Sequence, residues 1–185
     1  NEKLVMIDSL IEGEMELNGD KDRFRIDAYD CVDNTGMFLG YSSVNAFHSI
    51  VPSSVVDFYN YIGEERSVAS RPSTDNYALR NLLSVKYVVN LLNEDPFEDN
   101  PSHTVMPGYA YSGIQSGHKI YENTNYVPMG FTYDTYMTKE YCDSQSEHLR
   151  ASLMLKAVLL DEKQVEKYSD RLSILNTEGY FAFDD

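Results

Sequence analysis

The side chains with most to offer a ligand lie between Asp33 and Ser49, in the run DNTGMFLGYSSVNAFHS. His48 brings an imidazole, Asn45 an amide, Ser42 and Ser43 hydroxyls, and Tyr41 a flat ring carrying a hydroxyl. Donors and acceptors set among aromatic faces suit the hydroxyls and ring faces of a sugar. The same groups can instead satisfy the backbone of their own loop, and that reading stands beside the first. Tyr41, Ser42, Ser43, Asn45 and His48 form the candidate ligand-binding set. His103, His118 and His148 have no recognisable partners. Among the 15 tyrosines, Tyr59, Tyr77 and Tyr121 fall on packing stripes, whereas Tyr109 and Tyr111 fall in expected loops and stay open to a ligand.

No reaction centre can be assembled from the rest. The phosphate-cradling GxGxxG and GxxxxGK(S/T) patterns are missing, as are HExxH and GxSxG. Asn18, Asp20 and Asp22 imitate the start of a calcium loop, but Arg23 replaces its turn glycine and Tyr29 its closing glutamate. Those acids read as a solvated turn, as do Asp30/Asp33 and Glu94/Asp95/Glu98/Asp99. No catalytic residue, metal or cofactor is expected. Cys31 and Cys142 have no metal spacing and read as core thiols, with a disulfide as the alternative.

The elements that must position the candidate set follow from periodicity. Leu4, Ile7, Ile11 and Met15 step as one face of a helix, and Arg23–Tyr29 alternates as a half-buried strand. Residues 33–49 read as an ordered loop anchored by Met37, Phe38, Leu39, Tyr41 and Phe47, with Gly36 and Gly40 allowing tight turns. A helix is predicted near Ser54–Ile62, opened by a Ser54/Asp57 capping box, and a short one at Tyr77–Leu83. Val85–Val89 is a buried β-branched strand, and residues 93–108 form a solvated loop broken by Pro96, Pro101 and Pro107. Lys119–Glu122 and Gly130–Asp134 read as two further strands of the same sheet. A Ser144/Glu147 box opens a helix to Leu160, and Asp161/Gln164 caps another through Val165, Tyr168 and Leu172. The expected fold is a single α/β domain over residues 1–185, a mixed sheet flanked by helices, with α+β as the alternative.

Composition narrows the function. The chain has 185 residues, and 15 Lys+Arg against 30 Asp+Glu give a net charge of −15. Such a balance excludes a general nucleic-acid binder and predicts repulsion of anionic headgroups and teichoic phosphates. No stretch approaches the roughly 18 apolar residues of a membrane helix. The chain opens on Asn1 rather than Met, as a piece excised from a longer protein would.

Three segments together carry a resemblance: NTGMFLGYSSVNAFHSIVPSSVVDFYNYIG, YALRNLLSVKYVVN and KIYENTNYVPMGFTYD. In order and spacing they resemble the bacterial YfhO-type multi-pass membrane proteins, which are related to the GT-C glycosyltransferases. The match covers roughly residues 24–137. The resemblance implies an extracytoplasmic domain of a cell-membrane protein that glycosylates cell-envelope polymers such as lipoteichoic acid. Its implied partners are its own transmembrane region and a glycan or lipid-linked sugar, with no nucleic acid. The catalytic acid of GT-C enzymes lies near their first membrane helices, a segment this chain lacks, so an accessory and non-catalytic role is expected. Two alternatives stand: a structural or protein-interaction domain without glycan binding, and a free-standing soluble enzyme.

Overall fold

The computed structural model describes residues 15–29, 31–73, 76–90 and 108–176, together with the backbone of 98–100 and 103–104. These fall into two compact units, one reaching to Gly130 and the other beginning at Phe131. The fold class is α/β, with mixed sheets flanked by helices, as expected.

The first unit is built on a four-stranded sheet of β1 (Arg25–Tyr29), β4 (Val85–Asn90), β8 (His118–Asn123) and β7 (Tyr109–Gln115), in that order. β1 and β4 are parallel, whereas β4–β8 and β8–β7 are antiparallel. Parallel neighbours need a long crossover. Here it carries α1 (Thr35–Phe38), β2 (Ala46–Phe47), α2 (Ser53–Tyr61), β3 (Ala69–Ser70) and α3 (Tyr77–Leu82). The antiparallel pair β7–β8 turns instead on Ser116-Gly117, both at positive φ (47° and 75°), which matches the twist of a tight hairpin.

Both faces of this sheet are covered. Phe24, Ile26, Ala28, Tyr87, Val89 and Ile120 pack on one side with Met15, Leu17 and Cys31. Val88, Tyr109 and Tyr121 pack on the other. Packing on two faces leaves β4 buried along nearly its whole length, with Val85, Val88 and Val89 as its β-branched residues. It also forces a polar solution in β1. Asp27 is 2% exposed and meets Arg80, 0% exposed, from α3. Arg80 donates from Nε and Nη2 to Asp27 Oδ2 at 2.9 and 2.8 Å, and gives its other hydrogens to the carbonyls of Ser73 and Pro72. β1 is therefore buried through its centre, not half-buried as alternation suggests.

The run LLSVKYV and the YEN triplet hold this sheet together. Lys86 Nζ donates to Asn18 O at 2.7 Å and lies 5.0 Å from the Tyr87 ring centroid. Asn123 Nδ2 donates to Asn81 Oδ1 and Val85 O, while its Oδ1 accepts from Asn125 N.

The second unit holds three parallel strands in the order β10 (Val158–Leu160), β9 (Thr135–Thr138), β11 (Ser173–Ile174). They are linked by α4 (Lys139–Asp143) and α5 (Glu147–Met154), then by α6 (Glu162–Tyr168). Its core gathers Met137, Cys142, Ala151, Leu153, Ala157 and Leu160. The Asp161/Gln164 capping box forms as the sequence suggests.

Several expectations are corrected. Gly130–Asp134 is not a strand: Gly130 sits at φ +83°, and Phe131 and Tyr133 pack edge-to-face on each other at 5.2 Å instead of facing a paired strand. The helix expected to reach Leu160 ends at Met154, because Val158–Leu160 pairs with β9. Pro52 and Ser146 stand at the N-caps of α2 and α5 without side-chain bonds, so neither the Ser54 nor the Ser144 box forms. Tyr109 and Tyr111 belong to β7 and not to a loop. Within 93–108, β5 (Glu98–Asn100) pairs with β6 (His103–Thr104). The rest of that segment, and the helix expected over Leu4–Ile11, lie outside the described residues. Both cysteines are buried thiols, Cys31 donating toward Tyr29 O at 3.2 Å.

Candidate functional site

The crossover between β1 and β4 carries the candidate residues. It leaves the sheet through Asp33, which holds Arg71 in a bidentate pair at 2.9–3.2 Å. Asn34 follows at φ 67°, the left-handed region that asparagine tolerates. Its amide clasps the backbone of Phe47, accepting from N at 2.9 Å and donating to O at 3.2 Å. Gly36 is required by packing: a Cβ there would stand 2.5 Å from Ser43 Cβ and 3.0 Å from Tyr41 O. These contacts fold residues 34–48 into a compact shell on the edge of β1, where Ile26 N donates to Ser42 O and Val44 N to Ile26 O.

Tyr41, Ser42, Ser43, Asn45 and His48 all line one cleft of about 410 Å³, together with Asn34, Met37, Gly40 and Ala46. Their chemical states differ. The Tyr41 hydroxyl is engaged, donating to Met15 O and accepting from Leu17 N, both at 3.1 Å, and its ring stacks on Phe24. Ser43 Oγ accepts from Asn45 N at 3.1 Å. Ser42 and His48 are exposed. Asn45 is 5% exposed and donates from Nδ2 to Ala28 O at 3.1 Å, whereas its Oδ1 is buried without any donor. Because Ala28 O can only accept, this bond fixes which way the amide faces.

A second cleft of about 480 Å³ shares the wall Ser43, Ala46 and His48 and opens toward the start of α2. Arg25 and Arg66 line it, and sequence reading had not singled out either. Arg25 Nη1 donates to Leu83 O at 2.8 Å. Arg66 is 8% exposed, bonds Ser67 O, and lies 5.9 Å from the Tyr59 ring centroid. Burial pushes the Tyr59 phenol above its ordinary pKa, while a hydrogen bond with Ser70 and the two guanidinium groups pull it back. The only prior signal for these arginines was their rarity in an acidic chain.

The loop differs from expectation at its surface. Leu39 and Tyr41 pack on the core, but Met37 is 77%, Phe38 56% and Phe47 44% exposed, and Ile50 beyond them is 89% exposed. Among the described residues, no three His, Cys, Asp or Glu are placed to share a metal, and no helix is long and apolar enough to cross a membrane.

No curated protein and no solved structure matches this chain. A family model does, described as bacterial membrane protein YfhO and matching residues 9–180. The chain thus belongs to the YfhO family of bacterial membrane proteins.

Proposed function

We propose that this chain is a non-catalytic, extracytoplasmic accessory domain of a membrane glycosyltransferase-like protein acting on cell-envelope glycopolymers, lipoteichoic acid among them. In this reading the Tyr41–His48 cleft receives glycan hydroxyls or the sugar of a lipid-linked donor, and the parent's transmembrane region is the domain's partner. The gathering of Tyr41, Ser42, Ser43, Asn45 and His48 on one cleft is the observation that carries it, since hydroxyl, amide and imidazole groups at one wall suit the hydroxyls of a sugar. Ser42 and His48 add exposed polar groups at the same wall.

Substituting Asn45 and His48 by Ala in the full-length protein tests this. Glycosylation should fall at least tenfold while the melting temperature moves little for His48→Ala. Retained activity with reduced stability makes the loop structural and overturns the reading. A second reading, a protein-interaction domain without glycan binding, is favoured by the exposure of Met37, Phe38 and Ile50. It expects Met37→Ser with Phe38→Ser to abolish activity where Asn45→Ala leaves it intact.

A further inference from the structure

We infer that the cleft bounded by Arg25, Arg66 and the start of α2 is a binding site for a phosphate ester with an apolar substituent. Among the described residues neither arginine has a carboxylate within ion-pair distance, although Arg23, Arg71 and Arg80 each do. A guanidinium cannot shed its proton to relieve burial, and Arg66 is only 8% exposed. An unpaired buried charge is costly, and an incoming anion removes that cost. The first turn of α2 adds to the same field. Pro52 is its N-cap and supplies no side-chain bond, the Val55 N–H donates to Pro52 O at 3.0 Å, and Ser54 of that turn lines the cleft.

The acids behind the net charge of −15 are not among the residues that line this cleft, although Glu64 and Glu65 directly precede Arg66. From Asn34 to Gly63 the only acid is Asp57, and no acid lines either cleft. Glu64 is close enough to influence Tyr59, but its Oε2 accepts from Ser73 N at 3.1 Å. At physiological salt, exposed charges farther than about 8 Å are largely screened, and the charges at the cleft wall itself are those of Arg25 and Arg66. Phosphate is an anion that forked guanidinium groups bind bidentately and to which N–H groups at a helix start donate. The apolar substituent follows from the remaining wall, where Ile50, Val51, Val55 and Phe58 face the cleft and Ile50 is 89% exposed. This site stands on its own residues, whether or not the neighbouring cleft takes a glycan.

Calorimetric titration of the chain with hexyl phosphate, glycerol 1-phosphate and hexyl glucoside tests the inference. Hexyl phosphate should bind, glycerol 1-phosphate about tenfold more weakly, and hexyl glucoside not measurably. Arg25→Gln and Arg66→Gln should each weaken hexyl phosphate about tenfold or more. Arg25 is only half-buried, so its variant carries the test if Arg66→Gln does not fold, as circular dichroism would reveal. Ile50→Ser should weaken hexyl phosphate and leave glycerol 1-phosphate unchanged. Equal affinity for hexyl glucoside, no binding of hexyl phosphate, or an unchanged Arg25→Gln variant would each overturn the site. Phosphatidic acid in phosphatidylcholine vesicles, against phosphatidylcholine alone, separates the sources. Selective capture assigns a lipid headgroup, binding of the soluble ester alone assigns a free one, and both sustain the phosphate-ester assignment.

Discussion

Arg80 and Arg66 are both buried in the first unit, and they are treated in opposite ways. Arg80 sits beneath the sheet with its charge matched by Asp27 and its spare hydrogens given to Ser73 O and Pro72 O. Arg66 stands at a cleft wall with a backbone carbonyl and an aromatic face but no described carboxylate. A fully matched buried charge fixes one arrangement of the chain and has nothing left for a ligand. A buried charge without a described carboxylate beside it gains most from an anionic ligand. Within a single unit, the pairing of an arginine separates the framework from the site.

Breaking the framework should have the largest effect. Asp27→Leu leaves Arg80 charged in an apolar setting and should cost about 3–5 kcal/mol, read as the urea midpoint of the chain. Adding Arg80→Met should return much of that loss, since paired removal of a buried ion pair is often neutral. Arg66→Gln, by contrast, should change stability by about 1 kcal/mol or less, because it ends an unmatched charge and keeps a polar contact. If Arg66→Gln were as damaging as Asp27→Leu, the distinction between the two arginines would collapse.

The contrast also explains what could be read without coordinates. Val85–Val89 and Lys119–Glu122 were legible because β-branched and apolar content marks buried strands wherever they occur. Asp161/Gln164 was legible because a capping box is local. Asp27–Arg80 was not, since 53 residues separate two side chains that only the β1–β4 pairing brings together. Arg25 and Arg66 escaped for the same reason. The five candidate residues were grouped by composition, and the fold does gather them, but Tyr41 turned out to spend its hydroxyl on Met15 and Leu17. Met37, Phe38 and Phe47 misled, because a large apolar side chain in a loop need not face the core that its own chain provides.

A smaller effect should sharpen the site side of the comparison. Gly36→Ala would ordinarily stabilise a helix by up to about 1 kcal/mol. Here the new methyl would meet Ser43 Cβ and Tyr41 O, neither at the end of a flexible side chain. The clash should win, with a net loss of about 1–3 kcal/mol and a displaced Ser42–Asn45 wall. Any ligand of the cleft at Tyr41–His48 should then bind more weakly, whereas a gain in melting temperature would show that the shell has room to relax.

The smallest effect concerns how a buried base with no ion pair among the described residues behaves when, unlike arginine, it can give up its proton. His118 is 3% exposed at the start of β8, and burial lowers its pKa despite opposing backbone hydrogen bonds with Gln115 and Ser116. In the unfolded chain a histidine titrates near about 6.5. Above that value both states are neutral and His118 contributes no pH dependence. As pH falls below it, the unfolded state takes up the proton first, so folding loses stability until the lower native pKa is also passed. His118→Gln removes this proton uptake and retains a polar group. The urea midpoint of the native chain should therefore drop more between pH 7 and pH 5 than that of the variant, with the difference arising below about pH 6.5. Carboxylates that begin to titrate there act on both proteins alike and cancel in the comparison. Parallel midpoints across that range would mean that His118 is as well solvated in the native state as in the unfolded chain.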